Sequence, residues 1–276
     1  MPRQPDLSIV VPAYAEAPLI VASLRTLAAY LRTDVEDVEV LVVVAESGDA
    51  TLELARHCAH WFSRYRVIDA GPRAGKGRDV RLGMLTAQGH YRLLMDADLA
   101  TPLHHLDQLR TLRQRNAEVV IGVRDLPRAH KEHRRRLIAT TGNRLIRMLL
   151  LPGLRDTQCG FKMFRADVCE AVFRNAKIDG WGFDLEVLAA ARRLGHHIQP
   201  LPIDDWHDPK PASRGLGTDT TGHAAAEVLG DLLRLRLHYW LHPKPAPQAT
   251  TGFVAHQRAS GEHRERPAVS PAETYP

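Results

Sequence analysis

From Leu7 onward, short apolar runs alternate with helix-length amphipathic segments. "LSIVV" leads to Pro18–Leu31, "VEVLVVV" to Ala50–Phe62, "RVIDA" to Asp79–Gln88, "YRLLM" to Leu103–Arg115, and "EVVIGV" closes the series at Val123. The strand runs are continuously apolar rather than alternating, as expected of a sheet buried on both faces, and their separation by helices predicts a mostly parallel order. The expected fold class is therefore α/β, a doubly wound, mostly parallel sheet with helices on both faces. Ligands of such sheets gather beyond the carboxyl ends of the strands. Four polar motifs fall there: "PAYAE" after the first strand, "AESGDAT" after the second, "GPRAGKGR" after the third and "DADLATP" after the fourth.

Past Val123 the pattern changes. Residues 124 to 147 hold eight Lys or Arg against two acids, and lead through "RLIRMLLLPGL" to "RDTQCGFKMF" and "GWGFDLEVLAAARRLG". A strand at Ile198–Ile203, a polar loop from His207 to Gly222 and a last helix from about Ala224 to Trp240 follow. We expect a single domain of two joined halves, 1–123 and 124–241. Residues 242–276, with six prolines and few aliphatics, read as a disordered tail.

The 276 residues, 44% hydrophobic, suffice for a large core. No segment reaches membrane-spanning length and no stretch has the make-up of a signal peptide, so a cytoplasmic location is expected. Cys58, Cys159 and Cys169 are too few and too unevenly spaced for a disulfide framework or a zinc ribbon. The net charge of +5 favours an anionic partner.

Asp96 and Asp98 stand either side of one alanine where an apolar run ends. Hard oxygen ligands at this spacing suit Mg²⁺ or Mn²⁺ and, through the ion, phosphate. The plainer reading is a turn into a helix opened by Thr101 and Pro102; the two are compatible. "GPRAGKGR" is one residue short of a P-loop and lacks its Ser or Thr, but its helix N-terminus and Lys76 suit an anion. In the basic segment, Leu and Ile interleave with Arg as in a helix at an anionic membrane surface, a solvated helix face being the alternative. The segment has no aromatic on which a base would stack, which argues against nucleic acid. Asp156 has the chemistry of a base or a cation-orienting group, Cys159 that of a small buried residue, and Asp184 and Glu186 that of helix-dipole partners. Of the fifteen histidines, only His207, in a loop after a strand, stands out as a late metal or phosphate contact.

Taken together and in order, "VVPAYAE", "GKGRDVRLGML", "DADLATP", "RDTQCGFKMF" and "GWGFDLEVL" resemble the family 2 inverting glycosyltransferases of the GT-A fold, in their dolichyl-phosphate glucosyltransferase and polyprenyl-phosphate sugar synthase branch. The resemblance spans about residues 7 to 241. It implies a hexose transferred with inversion from a nucleoside diphosphate sugar, UDP-glucose-like or GDP-mannose-like, to a polyprenyl or dolichyl phosphate, with Mg²⁺ or Mn²⁺ and peripheral contact with an anionic membrane. By position, Pro12, Ala13, Tyr14 and Glu16 would line the nucleoside pocket, with Lys76 near the nucleotide and Asp96 and Asp98 at ribose, diphosphate and metal. Arg124, Arg135 and Arg214 would gather the acceptor phosphate, and Asp156 falls where relatives carry a proposed catalytic aspartate.

The departures are Ala15 for the usual Asn, Ala45 for a nucleoside-binding aspartate, which Glu46 would replace by a one-residue shift, and Ala100 where some relatives carry a metal-contacting Gln. Other readings are a transferase with a soluble hydroxyl or phosphate acceptor, a nucleotidyltransferase, and a nucleotide-sugar-binding protein without turnover.

Overall fold

The structure is a computed structural model that describes residues 3–32, 36–124, 149–207 and 220–241. Seven strands form one sheet: β1 (Leu7–Ala13), β2 (Val38–Ala45), β3 (Tyr65–Gly71), β4 (Tyr91–Met95), β5 (Val119–Arg124), β6 (Phe161–Arg165) and β7 (Ile198–Ile203), in the order β3-β2-β1-β4-β6-β5-β7. The helices are α1 (Ile20–Leu31), α2 (Thr51–His57, continued by a 3₁₀ turn at Cys58–Trp61), α3 (Lys76–Thr86), α4 (His105–Gln114), α5 (Ala166–Phe173), α6 (Phe183–Arg193) and α7 (Thr220–Leu241).

The uninterrupted apolar strands have the expected cause. Along β1 and β2, Val10, Leu41 and Val43 point to one core, formed with Val80 and Met84 of α3, Val168 of α5 and Leu188 of α6. Ile9, Val11, Val40 and Val42 point to the other, against Leu24 and Leu27 of α1 and Leu109 of α4. Period-two alternation therefore sorts residues between two buried faces rather than between core and water.

One strand departs from the parallel rhythm. β6 pairs antiparallel with both β4 and β5, placing Phe161 opposite Met95. The amino end of β6 thus lies at the sheet edge where the parallel strands present their carboxyl ends, and "DTQCG" is delivered beside "DAD". Both halves of the sequence contribute to this single sheet.

Residues Thr101 and Pro102 do not open a helix directly. The chain first makes tight turns in which His105 N–H donates to the Pro102 carbonyl and Leu106 N–H to that of Leu103, and α4 begins at His105. Asp98 instead closes its own turn, accepting from the Ala100 N–H at 3.0 Å. Arg135, Arg214, most of the basic segment and the tail lie outside the described residues. Among the described residues, no helix is long and apolar enough to cross a membrane.

Candidate active site

The carboxyl ends of β4 and β5 and the residue before β6 enclose a pocket lined by Asp96, Asp98, Arg124, Gly160 and Trp206. Asp96 is fixed on both sides. Lys76, the first residue of α3, reaches its Oδ1 at 2.7 Å, and Gly160 packs so closely that a Cβ there would collide with the carboxylate. Burial acts to raise the Asp96 carboxyl, but Lys76, reinforced by Lys162 and Arg124, outweighs it and holds the group below the ordinary aspartate value.

Lys76 enters at this angle because Gly75, at φ 122°, makes a turn closed to L side chains and packs against the Asp179 carbonyl. Arg78 N–H donates to that same carbonyl. One of the helix-end donors expected to hold an anion is thus taken by the protein, and Lys76 serves a carboxylate.

Asp98 and Glu16 are matched less well. Burial first, then the neighbouring Asp96, raises the Asp98 carboxyl. Burial, followed by Asp98 and Asp96, pushes Glu16 up to about 8, and its Oε2 is buried with no hydrogen-bond partner. All three carboxyls lie within reach of the Lys76 ammonium. This crowding of half-buried carboxyls, with hard oxygen donors and an orphaned oxygen, fits a divalent cation of the Mg²⁺ or Mn²⁺ type.

The turns carrying these groups are strained: Ala15 has φ 56° and Leu99 φ 51°, left-handed conformations that cost residues with a Cβ on the order of 1 kcal/mol. The "ESGDAT" loop clamps the first of them. Thr51 Oγ1 accepts from Glu16 N–H at 2.9 Å, and Asp49 accepts from Ala17 N–H at 3.2 Å and from Thr51. Glu46, the expected substitute for the missing aspartate, is exposed, and its N–H donates to the Gly71 carbonyl. Pro12 and Ala13 lie at the end of β1, and Tyr14 stacks under the Arg73 guanidinium at 4.4 Å.

Across the pocket, Arg124 at the end of β5 grips Asp156 with both arms, Nε to Oδ2 at 2.6 Å and Nη2 to Oδ1 at 3.0 Å. Its guanidinium sits 5.3 Å from the Trp206 ring centroid. Gln158 N–H also donates to Asp156 Oδ1. Burial acts to raise the Asp156 carboxyl, but Arg124, with Lys162 behind it, holds it below the ordinary value. With every oxygen engaged it is a weak base, placed to orient Arg124. Cys159 is buried, and burial pushes its thiol up, away from nucleophilic use.

His207 reaches the same region: its N–H donates to the Ala100 carbonyl at 3.2 Å, and its imidazole is near enough to act on Asp98. Its loop is tied to α4 by Asp205, whose carboxylate lies 2.7 Å from His105 Nε2 and 3.2 Å from His104 Nε2. The ligand atoms of this trio lie within 4.8 Å of one another, a second group able to hold a cation, though the distances are those of hydrogen bonds.

Several contributors carry no local signal. Lys162 is fully buried and lies 2.7 Å from Asp184, whose helix-start position suggested a dipole role. The Glu186 carboxylate accepts from Lys177 and Ile178 N–H groups rather than standing free at its helix end. Trp181 lies under Lys76 Nζ at 5.2 Å. The one local signal that could have pointed to any of these is the lysine set among apolar residues in "FKMF".

A mostly parallel sheet with paired aspartates and a lysine at its carboxyl edge, facing an arginine corner, agrees with the class to which comparison with known proteins assigns the chain, the nucleotide-sugar glycosyltransferases of GT-A fold. The profile for glycosyl transferase family 2 matches residues 8–173, and the chain belongs to that family. It is 31% identical over 218 residues to a dolichyl-phosphate beta-glucosyltransferase of Trichomonas vaginalis, covering 75% of this chain and 67% of that protein. It is 33% identical over 244 residues to glycosyltransferase AglD of Haloferax volcanii, covering 85% of this chain and 37% of that longer protein. The fold is shared with glucosyl-3-phosphoglycerate synthase from Mycobacterium tuberculosis, solved with Mn²⁺, UDP-glucose and phosphoglyceric acid, at a TM-score of 0.61 and 19% identity over 84% of this chain and 80% of that one.

Proposed function

We propose that the protein transfers a hexose, with inversion, from a UDP-glucose-like or GDP-mannose-like donor to a polyprenyl phosphate, using Mg²⁺ or Mn²⁺ held by Asp96 and Asp98, with His207 as a further contact. The 67% coverage of a dolichyl-phosphate beta-glucosyltransferase supports the acceptor class. The observation that carries the reading is the commitment of Asp156 to Arg124. A hydroxyl acceptor needs a free base, whereas a phosphate oxygen is already ionised at neutral pH and needs a cation to place it. Arg124 is that cation, and Asp156 and Trp206 aim it.

On the donor side, Lys76 and Asp96 orient the diphosphate end, while Pro12, Ala13, Tyr14, Glu16 and Glu46 line the nucleoside side. When bound, the divalent ion supplies charge stabilisation for the departing diphosphate. The acceptor oxygen then attacks the anomeric carbon from the Arg124 wall as the bond to the diphosphate breaks opposite. Residues 1–123 would serve mainly the donor and 124–241 the acceptor, with Arg135 and Arg214 joining Arg124 at the lipid phosphate and the basic segment resting on an anionic membrane surface.

A soluble phosphorylated acceptor is the second reading, favoured by the phosphoglyceric acid in the M. tuberculosis relative of the same fold. Purified protein offered UDP-glucose or GDP-mannose, with polyprenyl phosphate or 3-phosphoglycerate and Mn²⁺, separates the two. Transfer to the lipid that EDTA abolishes is expected; transfer only to the soluble acid overturns the lipid reading, and no transfer with any pair overturns both.

A further inference from the structure

Eight large hydrophobic residues are exposed among the described residues, and five of them lie on α7: Leu229 at 44%, Leu233 at 55%, Leu237 at 56%, Trp240 at 70% and Leu241 at 57%. The other three are scattered singly, which is ordinary. At about 100° per residue the five α7 side chains fall within one arc of about 120°. The opposite face is buried through Val228, Leu232 and Leu235, so the helix is amphipathic twice over, with a core stripe and an outward one.

The borders of the outward stripe are basic. Arg236 flanks the Leu229 side, and Arg234, whose side chain is 85% exposed although one guanidinium nitrogen lies 3.7 Å from Asp231, flanks the Leu241 side. No acid lies within the arc: Asp231 is buried, and Glu227 turns its carboxylate to the Trp181 N–H at 3.1 Å. An apolar ridge with a tryptophan near its end and arginines along both edges is the make-up of a helix lying in a bilayer interface.

We infer that α7 is a membrane-docking element, whose Leu229–Leu241 ridge enters the headgroup region of an anionic bilayer while Arg234 and Arg236 contact lipid phosphates. Two other occupants fit less well. The 242–276 segment has six prolines and offers only two valines as aliphatics larger than alanine, so it has no matching ridge. A second copy docked ridge to ridge would bring the arginine borders of the two copies together, and the nearby Asp231, buried and already 3.7 Å from Arg234 of its own helix, is not placed to answer them.

The placement bears on the proposed lipid-phosphate acceptor, on which its functional sense, though not the surface itself, rests. Glu227 holds the Trp181 backbone, the Trp181 ring lies under Lys76, and Lys76 binds Asp96. One short chain of contacts links the docking helix to the donor aspartates, so a docked α7 presents the site at the membrane surface.

The test is flotation of the full chain with vesicles of phosphatidylcholine alone or mixed with phosphatidylglycerol. The wild type is expected to float with the anionic vesicles and to be released by high salt. Arg234→Gln and Arg236→Gln should each lower partitioning about fivefold, and Leu233→Ser with Leu237→Ser should lower it more than about tenfold. Melting temperature and transfer to a short-chain, water-soluble prenyl phosphate should stay unchanged in each variant, which keeps the activity and the docking separately testable. Wild type that stays unbound with anionic vesicles, a double leucine variant that floats like wild type, or a ridge substitution that converts a dimer to a monomer without changing flotation would each overturn the assignment.

Discussion

The two walls of the pocket treat charge in opposite ways. On the wall proposed for the donor, Asp96, Asp98 and Glu16 crowd around Lys76, and two of the three carboxyls are raised. On the wall proposed for the acceptor, one carboxylate and one guanidinium are matched arm for arm, and Asp156 is held low. A site finished without its ligand has matched charges; a site that awaits a cation does not. On the proposed reading the donor wall would take the incoming ion, and the acceptor wall, already paired, would offer the remaining face of Arg124 to an anion.

The most severe way to break this contrast is to neutralise the donor wall. Asp98→Asn should lower kcat by about 10³-fold, the scale of losing one source of transition-state charge stabilisation, and abolish the rise in melting temperature on adding Mn²⁺. Without Mn²⁺ the variant should melt at or above the wild type, because the ionised Asp98 is disfavoured by burial and by Asp96. A loss of stability in the metal-free variant would contradict the mismatch.

The acceptor wall should fail the other way. Asp156→Ala leaves Arg124 without its partner in a largely buried position and should cost about 3 kcal/mol of stability, read by urea denaturation, while Mn²⁺ affinity is retained. Because the folded Asp156 is held below its unfolded value, its contribution is present above the unfolded aspartate range and fades as pH falls through the folded value. The difference between wild type and variant should therefore shrink in acid, and a constant difference down to low pH would remove the ion pair as its source.

How far these walls could be read from sequence follows from the range of the interactions. The six mutually parallel strands were legible, the central ones because burial on both faces writes continuous apolar runs, and Asp96 and Asp98 because a strand end is a local event. β6 was not legible as a strand: its five residues follow a polar motif, and only pairing with β4 and β5 gives them a sheet. The partner of Lys76 lies 20 residues away and that of Arg124 lies 32 away, so a helix start suggested an anion for the one and the family resemblance implied a lipid phosphate for the other, with no sign of the internal carboxylates that hold them. Trp206 joined the site through a loop anchored by His105 and Asp205, a hundred residues apart, for which no local pattern exists.

Glu16 sharpens the contrast quantitatively. With a value near 8 it is protonated at neutral pH in the metal-free protein. Its raised value contributes stability that is complete below the unfolded glutamate range and is lost as pH rises toward 8. A cation seated among the carboxyls should displace that proton, so calorimetry of Mn²⁺ binding at pH 7 in buffers of different ionisation enthalpy should report release of about one proton per ion. Glu16→Gln should bind the ion more weakly and release almost none. Equal release from both proteins would show that the proton comes from another group, with Asp98 the first to examine.

The smallest effect concerns the backbone that carries Glu16. Ala15 occupies a left-handed conformation, at φ 56°, which asparagine tolerates better because its short polar side chain can bond locally. Thr51 and Asp49 hold this turn from the neighbouring loop, so the conformation is imposed by packing and the strain stays with residue 15. Ala15→Asn should therefore raise stability by up to about 1 kcal/mol without altering the proton release of Glu16, since the carboxyl keeps its position. If the variant gains stability but also loses proton coupling, the turn has moved and the alanine was helping to hold Glu16 against Asp98; if it gains nothing, Asp49 and Thr51 already remove the strain.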